Sequence, residues 1–247
     1  MPGWSVGAKG DELTRLQELY IPSLLEVDLK GLLCDPALEN LCIVSFFSAE
    51  SAALLHFVSR ERPGFLVLFL VTGKHFAETL AYRDEVSALL DLNLVILRPE
   101  PATLKAADPA GDLHAQDPNN CCTIRKTFPL KGAMKSYDGW GSGLKRFQGA
   151  THSTLPLIER DGEKIKVNRL ALWEPHEIKY YFRTHALPRH PLMSKGYTPI
   201  GCAPCSRAVR TGEDLRARRW PKVPDKTECG IHLGPDRRFA RTSRNSD

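Results

Sequence analysis

The sequence contains no apolar run approaching the roughly 20 residues a helix needs to cross a bilayer. A helical integral membrane protein is therefore not expected. The N-terminal stretch MPGWSVGAKGDELTRLQELY has no apolar segment behind a basic start, so no secretory signal peptide is expected either. Internal repeats are missing, which sets aside solenoid and propeller architectures. With no route to an oxidising compartment, the seven cysteines read as metal ligands or nucleophiles before disulfides, and the expected location is the cytoplasm.

What is present suits a soluble chain with a substantial core. Hydrophobic residues make up 42% and charged residues 26% of 247, ordinary values for a globular protein. The formal charge of +5 is modest but unevenly spread. Residues 207–222 (RAVRTGEDLRARRWPK) are rich in Arg and Lys with only Glu213 and Asp214 against them, and Arg237, Arg238, Arg241 and Arg244 follow. A basic C-terminal third suits a phosphate-bearing ligand, although a solvated charged face explains a charge run equally well.

Apolar runs alternate with amphipathic stretches along the first hundred residues. Leu13, Leu16, Leu19 and Tyr20 predict a helix over 11–30. Strands are predicted at 41–47, 65–71 and 93–98, each short and continuously apolar, with helices at 48–60 and 75–91 between them. This alternation predicts an α/β fold: a doubly wound, mostly parallel sheet with helices on both faces. The stretch 99–120, rich in Pro, Ala and Asp, reads as a loop, and 121–135 as a helix. Segments 153–160 and 164–170 flank Asp161-Gly162 as a hairpin, and 174–186 reads as a helix with Pro175 in its first turn. One domain over 1–235, with a mobile C-terminal segment, and a disordered tail over 236–247 are expected.

Ligands of open α/β sheets bind at the carboxyl ends of strands, where helix N-termini present free N–H groups to anions. The first such turn runs Ser45-Phe46-Phe47-Ser48-Ala49-Glu50-Ser51, and its serines can donate to a phosphate. It lacks the Gly-Lys-Ser/Thr ending of a Walker loop, and a helix N-cap made by Ser48 accounts for it nearly as well. Val71-Thr72-Gly73 closes the second strand in the same way. More specific are the adjacent Cys121 and Cys122 with the C-x-x-C of Cys202 and Cys205. Four thiolates are the number required by a tetrahedral zinc site or an iron–sulfur cluster. The competing reading makes Cys121 and Cys122 small core residues and Cys202/Cys205 a redox pair. Cys34 and Cys42 read as core. Cys229, beside Gly230, His232 and many arginines, has the electropositive setting that favours a nucleophilic thiolate.

Taken together, these segments resemble the assimilatory sulfonucleotide reductases, most closely the bacterial adenylyl-sulfate (APS) reductases. The blocks that carry the resemblance are Cys121-Cys122-Thr123-Ile124-Arg125-Lys126, Ile200-Gly201-Cys202-Ala203-Pro204-Cys205, residues 212–220 (GEDLRARRW) and Glu228-Cys229-Gly230-Ile231-His232. The resemblance implies an adenine-nucleotide alpha-hydrolase-like fold and a [4Fe–4S] cluster on Cys121, Cys122, Cys202 and Cys205. It makes Cys229 the catalytic thiol, which takes sulfite from adenosine 5′-phosphosulfate as a thiosulfonate. Substrate binding is expected from Ser45, Ser48, Glu50, Ser51, Thr72, Gly73, Lys126, Arg146, Arg216, Arg219 and His232, with Lys126 between cluster and substrate. Thioredoxin or glutaredoxin is the implied reductant, no fused thioredoxin-like domain being expected, and a homo-oligomer is expected.

Several positions depart from the family pattern, among them Gly141-Ser142 in Trp140-Gly141-Ser142-Gly143, where Ile-Thr is usual, and Gly149, where a serine follows the Gln. Val71 stands where an Asp is usual, Phe47-Ser48 where a glycine is common, and Lys145 where an arginine is common. Reduction of the 3′-phosphorylated nucleotide (PAPS), alone or with APS, is the nearest alternative, yet enzymes restricted to it generally lack the cluster cysteines. A zinc-stabilised nucleic-acid-binding protein would leave Cys229 and the serine turn without a task. An ATP-dependent adenylating enzyme on the same fold would carry a Ser-Gly-Gly-x-Asp-Ser loop, which Ser45–Ser51 does not spell.

Overall fold

The fold was analysed in a computed structural model, which describes residues 6–25, 30–149 and 152–208. Six short strands form one sheet: β1 (Leu41–Ser45), β2 (Leu66–Leu70), β3 (Asn93–Leu97), β4 (Gly139–Gly141), β5 (Ile158–Asp161) and β6 (Lys164–Val167). Their order across the sheet is β3-β2-β1-β4-β6-β5. All neighbours pair in parallel except β5 and β6, the two arms of a hairpin that turns at Gly162. The helices are α1 (Val6–Leu25), α2 (Lys30–Leu33), α3 (Ser51–Glu61), α4 (Ala77–Leu89), α5 (Pro101–Ala107), α6 (Leu113–Gln116), α7 (Pro118–Cys122), α8 (Phe128–Ala133) and α9 (Pro175–Thr184).

Side chains alternate across a strand, and each face of this sheet has its own apolar layer. Ile43, Val67, Phe69, Ile165 and Val167 pack with Leu16 of α1, Leu55 of α3, Tyr82 of α4 and Phe182 of α9. Cys42, Val44, Leu68, Leu70 and Trp140 face the other way, onto Leu130 of α8 and Met134. Each fully buried Leu or Phe contributes about 1.5–3 kcal/mol, so both layers matter to stability. Burial also pushes the Cys42 thiol up to about 12, which makes it inert. Cys34, by contrast, is exposed and not a core residue. At the β5 edge, α1 packs on the strand and Gln17 Nε2 donates to the Ile158 carbonyl at 2.9 Å.

The strand expectations hold with shorter limits, and two parts of the sequence reading need correction. Residues 99–120 are not a loop: α5, α6 and most of α7 lie there. Their prolines mark helix starts. Glu100 caps α5 by accepting from the Ala102 and Thr103 amides ahead of Pro101. Asp117 does the same for α7 through Asn119 and Asn120 ahead of Pro118. The other omission is β4, whose Gly139-Trp140-Gly141 carries no strand pattern. Its glycines are required by space. A Cβ on Gly139 would come within 2.5 Å of the Ile165 carbonyl, and one on Gly141 would run into Ile43 Cδ1.

Beyond α9 the chain runs as short 3-10 turns held down by His190. Its Nδ1 accepts from the Leu192 amide at 3.2 Å, and its Nε2 lies 3.0 Å from Thr79 Oγ1 of α4. Burial holds the imidazole down at about 4, against a smaller opposing pull from Glu78. The ring is therefore neutral in the folded chain and takes up a proton near its ordinary value on unfolding, which favours the unfolded state as pH falls. We expect the urea midpoint to drop as pH is lowered from about 6.5 toward 4 and to drop less in His190→Asn; equal pH slopes would contradict this assignment. Gly139→Ala should lower the urea midpoint by about 1–3 kcal/mol equivalent through overpacking, and an unchanged midpoint would show that the strand can accommodate a side chain.

Candidate active site

The sheet reverses direction between β1 and β4. From β1 the chain proceeds outward to β2 and β3, then returns to place β4 on the opposite side of β1. Such a switch point opens a crevice at the carboxyl ends of the two strands. A pocket lies there, lined by Val44 and Ser45 from β1, Trp140 from β4 and Ser142 just after it, and Ser48, Ser51 and Leu54 from the turn and helix that follow β1. Lys126, Lys145, Gln148, His152 and the loop Pro199–Cys202 complete its wall.

The turn after β1 is built for close approach. Ser45 Oγ accepts from the Phe47 amide at 3.2 Å, and the Ser48 and Ser51 hydroxyls lie 3.2 Å apart. Phe47 adopts φ 47°, the left-handed region, which accounts for the glycine common at this point. That conformation costs about 1–2 kcal/mol in an L-residue; the buried ring, edge-on to Phe69 at 5.4 Å, offsets it. The helix begins at Ser51 and not at 48. Its N-cap is Glu50, whose side chain makes no capping bond, so Ser48 is not the cap. The Glu50 carboxylate instead reaches Lys145 Nζ at 2.9 Å and accepts from Gln148 Nε2 at 3.3 Å. Burial drives the Lys145 ammonium below its ordinary range, and Glu50 opposes that shift.

A second, smaller cavity adjoins the first, and Cys121, Cys122, Cys202 and Cys205 all line it. All four are buried, and none is in a disulfide among the described residues. Cys121 and Cys122 end α7, after which the backbone widens into a π turn (Thr123–Thr127) that buries Ile124, Arg125 and Lys126 in succession. Cys202 and Cys205 flank a 3-10 turn pinned to the end of β2 by Ala203 N–H donating to the Lys74 carbonyl at 2.7 Å. Thr72 is fully buried with Oγ1 3.4 Å from Cys202 Sγ, which places it on the cysteine side. Gly73 has φ 70°, the left-handed region that favours glycine, and Arg125 Nη1 lies alongside at ordinary contact distance from where a Cβ would stand.

Arg125 is fixed by Asp108 Oδ2 at 2.5 Å and by the Thr72 carbonyl at 2.6 Å. Burial works to raise the Asp108 carboxyl, but the Leu113 amide and Arg125 outweigh it and hold it below its ordinary value. Arg125 lines the cysteine cavity, and its buried Nε–H has no hydrogen-bond partner among the described residues. Burial raises the Cys121 thiol, while Arg125 pulls it down. Among the described residues, no three His, Cys, Asp or Glu side chains group closely enough to hold one metal ion. Lys126 and Cys202 line both cavities, and Lys126 Nζ lies 5.7 Å over the Phe46 ring.

Residues 40–208 match the sequence profile described as the phosphoadenosine phosphosulfate reductase domain. The chain belongs to the phosphoadenosine phosphosulfate reductase family. Within that family it is 44% identical over 196 residues to the adenosine 5′-phosphosulfate reductase of Mesorhizobium japonicum, a match covering 79% of this chain and 77% of that protein. The Streptomyces coelicolor protein of the same name is 39% identical over 197 residues, covering 78% and 82%. In three dimensions, the phosphoadenylyl-sulfate (PAPS) reductase of Candida auris, solved as a phosphate complex, aligns with TM-score 0.64 at 23% identity over 84% of this chain and 99% of that one. The Candida glabrata FMN adenylyltransferase aligns with TM-score 0.56 at 10% identity, a likeness of fold alone.

Of the residues singled out in the sequence of this reductase-family chain, Ser45, Ser48, Ser51 and Lys126 line the larger pocket. Glu50 supports it through Lys145 and Gln148. Thr72 and the four cysteines gather at the smaller cavity. Arg146 is exposed and its Nε donates to the Leu155 carbonyl at 2.9 Å; its neighbour Lys145, unremarked as a site residue in the sequence, faces the pocket instead. Trp140 and Ser142 stood in the sequence as part of a family segment but not as site residues, since the strand β4 that places them was not predicted. Cys229, Arg216, Arg219 and His232 lie outside the described residues. Among the described residues no helix is long and apolar enough to cross a membrane.

Lys145 is buried but Glu50 is 19% exposed, so removing one partner should cost less than the ~3–5 kcal/mol of a fully buried pair. Lys145→Met and Glu50→Gln should each destabilise the chain, and the double variant should lose less than the sum of the two. Strict additivity in urea denaturation would mean that the pair contributes nothing.

Proposed function

We propose that this chain reduces adenosine 5′-phosphosulfate to sulfite and AMP, as the names of its relatives indicate for those proteins. The observation that carries this reading is the wall of Lys126 and Cys202 shared by an anion-suited pocket and a four-cysteine cavity.

The pocket's chemistry suits a nucleotide with an anionic tail. Apolar Val44, Leu54 and Ile200 with the Phe46 and Trp140 rings offer a surface for a base, while Lys126, Lys145 and the serine hydroxyls answer negative charge. The Cys229 thiolate attacks the sulfur of the sulfuryl group and breaks its bond to the bridging oxygen. AMP leaves with that oxygen, and a thiosulfonate remains on Cys229. A thiol of thioredoxin or glutaredoxin then attacks Cys229 Sγ and expels sulfite; its second thiol resolves the mixed disulfide and supplies the second electron of the pair. Arg216, Arg219 and His232 are assigned to the phosphosulfate on the family resemblance.

The donor set of the smaller cavity fits a [4Fe–4S] cluster. A tetrahedral zinc, with Zn–S of about 2.3 Å, draws its sulfurs to within about 4 Å of one another. The four cysteines line one cavity and supply the thiolate number that either centre takes, and the family resemblance of the blocks that carry them assigns them to the cluster. The unpartnered Arg125 Nε–H offers a donor suited to anionic sulfur. When bound, the cluster supplies local charge that tunes the electrostatics on the Lys126 side.

Cys229→Ser should abolish dithiol-dependent sulfite release from APS while leaving nucleotide binding intact, and retained turnover would remove Cys229 from the mechanism. Comparing kcat/KM for APS and PAPS decides the substrate; a higher value for PAPS would overturn the assignment.

A further inference from the structure

Behind the β4 wall of the larger pocket lies a row of buried polar side chains whose hydrogen bonds have one consistent direction. Lys166 Nζ stands 3.0 Å from Glu159 Oε1, and the same oxygen accepts from Asn168 Nδ2 at 2.9 Å. Asn168 Nδ2 also donates to the Pro156 carbonyl at 2.9 Å. A carbonyl and a carboxylate oxygen facing an ammonium can only accept, so the nitrogen and oxygen of Asn168 cannot be exchanged. Its Oδ1 therefore faces Ser142 Oγ, 2.5 Å away, and Ser142 is the donor.

A serine hydroxyl has one proton to give. Ser142 commits its proton to Asn168, so toward a ligand its oxygen only accepts. One lone pair meets the Leu144 amide at a long 3.5 Å, which leaves the other. Ser142 lines the larger pocket and is 4% exposed, so water has little access to it. Two residues earlier, Trp140 lines the same pocket, and its buried Nε1–H has no hydrogen-bond partner among the described residues. Lys166 Nζ lies 5.0 Å over the Trp140 ring, which ties it to the same buried row. This end of β4 thus combines an indole donor with a hydroxyl acceptor.

The oxygens of a phosphosulfate carry no proton near neutral pH, so they repel an oxygen that can only accept. Ribose hydroxyls and the adenine amine do carry protons, and the nucleoside also has acceptors for an indole N–H. We infer that Ser142 Oγ accepts a hydrogen bond from a neutral donor of the nucleoside, a ribose hydroxyl or the adenine amine, and that the phosphosulfate lies away from this hydroxyl. Ser142 is then a specificity-determining residue for the nucleotide. This assignment rests on the nucleotide reading of the pocket given above.

Calorimetric titration of the intact protein, purified without oxygen, tests it with AMP and analogues that each lack one group. 2′-Deoxy-AMP, 3′-deoxy-AMP and purine riboside 5′-monophosphate lack the two hydroxyls and the amine in turn, and adenosine lacks the phosphate. In the wild type, one of the first three should bind about fivefold to tenfold more weakly than AMP, the worth of one hydrogen bond. In Ser142→Ala that penalty should shrink to less than about twofold, and the analogue concerned identifies the donor. Ser142→Thr keeps the hydroxyl and should keep the penalty, which a merely structural role for Ser142 does not require. The cost of removing the phosphate should be the same in all three proteins. A wild type indifferent to all three analogues would overturn the inference, and that series needs no variant. So would penalties that Ser142→Ala leaves unchanged, or a Ser142→Ala effect confined to adenosine. A wild type that binds no AMP at all would instead remove the nucleotide reading, and this assignment with it.

Discussion

The parallel pairing of β1 with β4 is the constraint on which the rest of this structure depends. Leu41, Cys42 and Ile43 lie beside Gly139, Trp140 and Gly141, and only glycine fits on either side of Trp140. That close approach creates the switch point, and the switch point creates the crevice. The serine turn, the Lys145–Glu50 pair and the π turn carrying Lys126 are arranged around it.

The site combines two kinds of strain with two kinds of support. Phe47 holds a left-handed backbone where a glycine would be free, and its ring is locked into the core beside Phe69. Lys145 is buried against its own preference for water and kept there by Glu50. Both hold polar groups at the pocket wall in fixed positions. The departure of Val71 from the usual carboxylate has a plain consequence. No acid stands at that position, while Thr72 beside it turns to Cys202 and Gly73 takes the left-handed turn.

The fold class was legible because β1, β2 and β3 are apolar runs separated by helical periodicity, a signal that survives without knowledge of tertiary contacts. β4 was not, because its residues are chosen by the space between Ile43 and Ile165 and not by any propensity of their own. The helices at 99–120 were hidden by composition: Pro and Asp mark loops on average, but Glu100-Pro101 and Asp117-Pro118 are N-cap and first-turn pairs. For the site, Cys121, Cys122, Cys202 and Cys205 stood out by spacing alone. Lys145 and Trp140 could not, since their importance comes from where the missed strand puts them. The choice of Arg146 over Lys145 fell between adjacent residues, and only the course of the backbone distinguishes the buried side chain from the exposed one.

The cavity shared by four cysteines beside Lys126 is the centre of the account, and its metal content tests it most directly. Protein purified without oxygen should contain about four iron and four acid-labile sulfide per chain, the stoichiometry of one cluster on four thiolates. Zinc at one per chain with no labile sulfide would contradict the account and turn the cavity into a structural metal site.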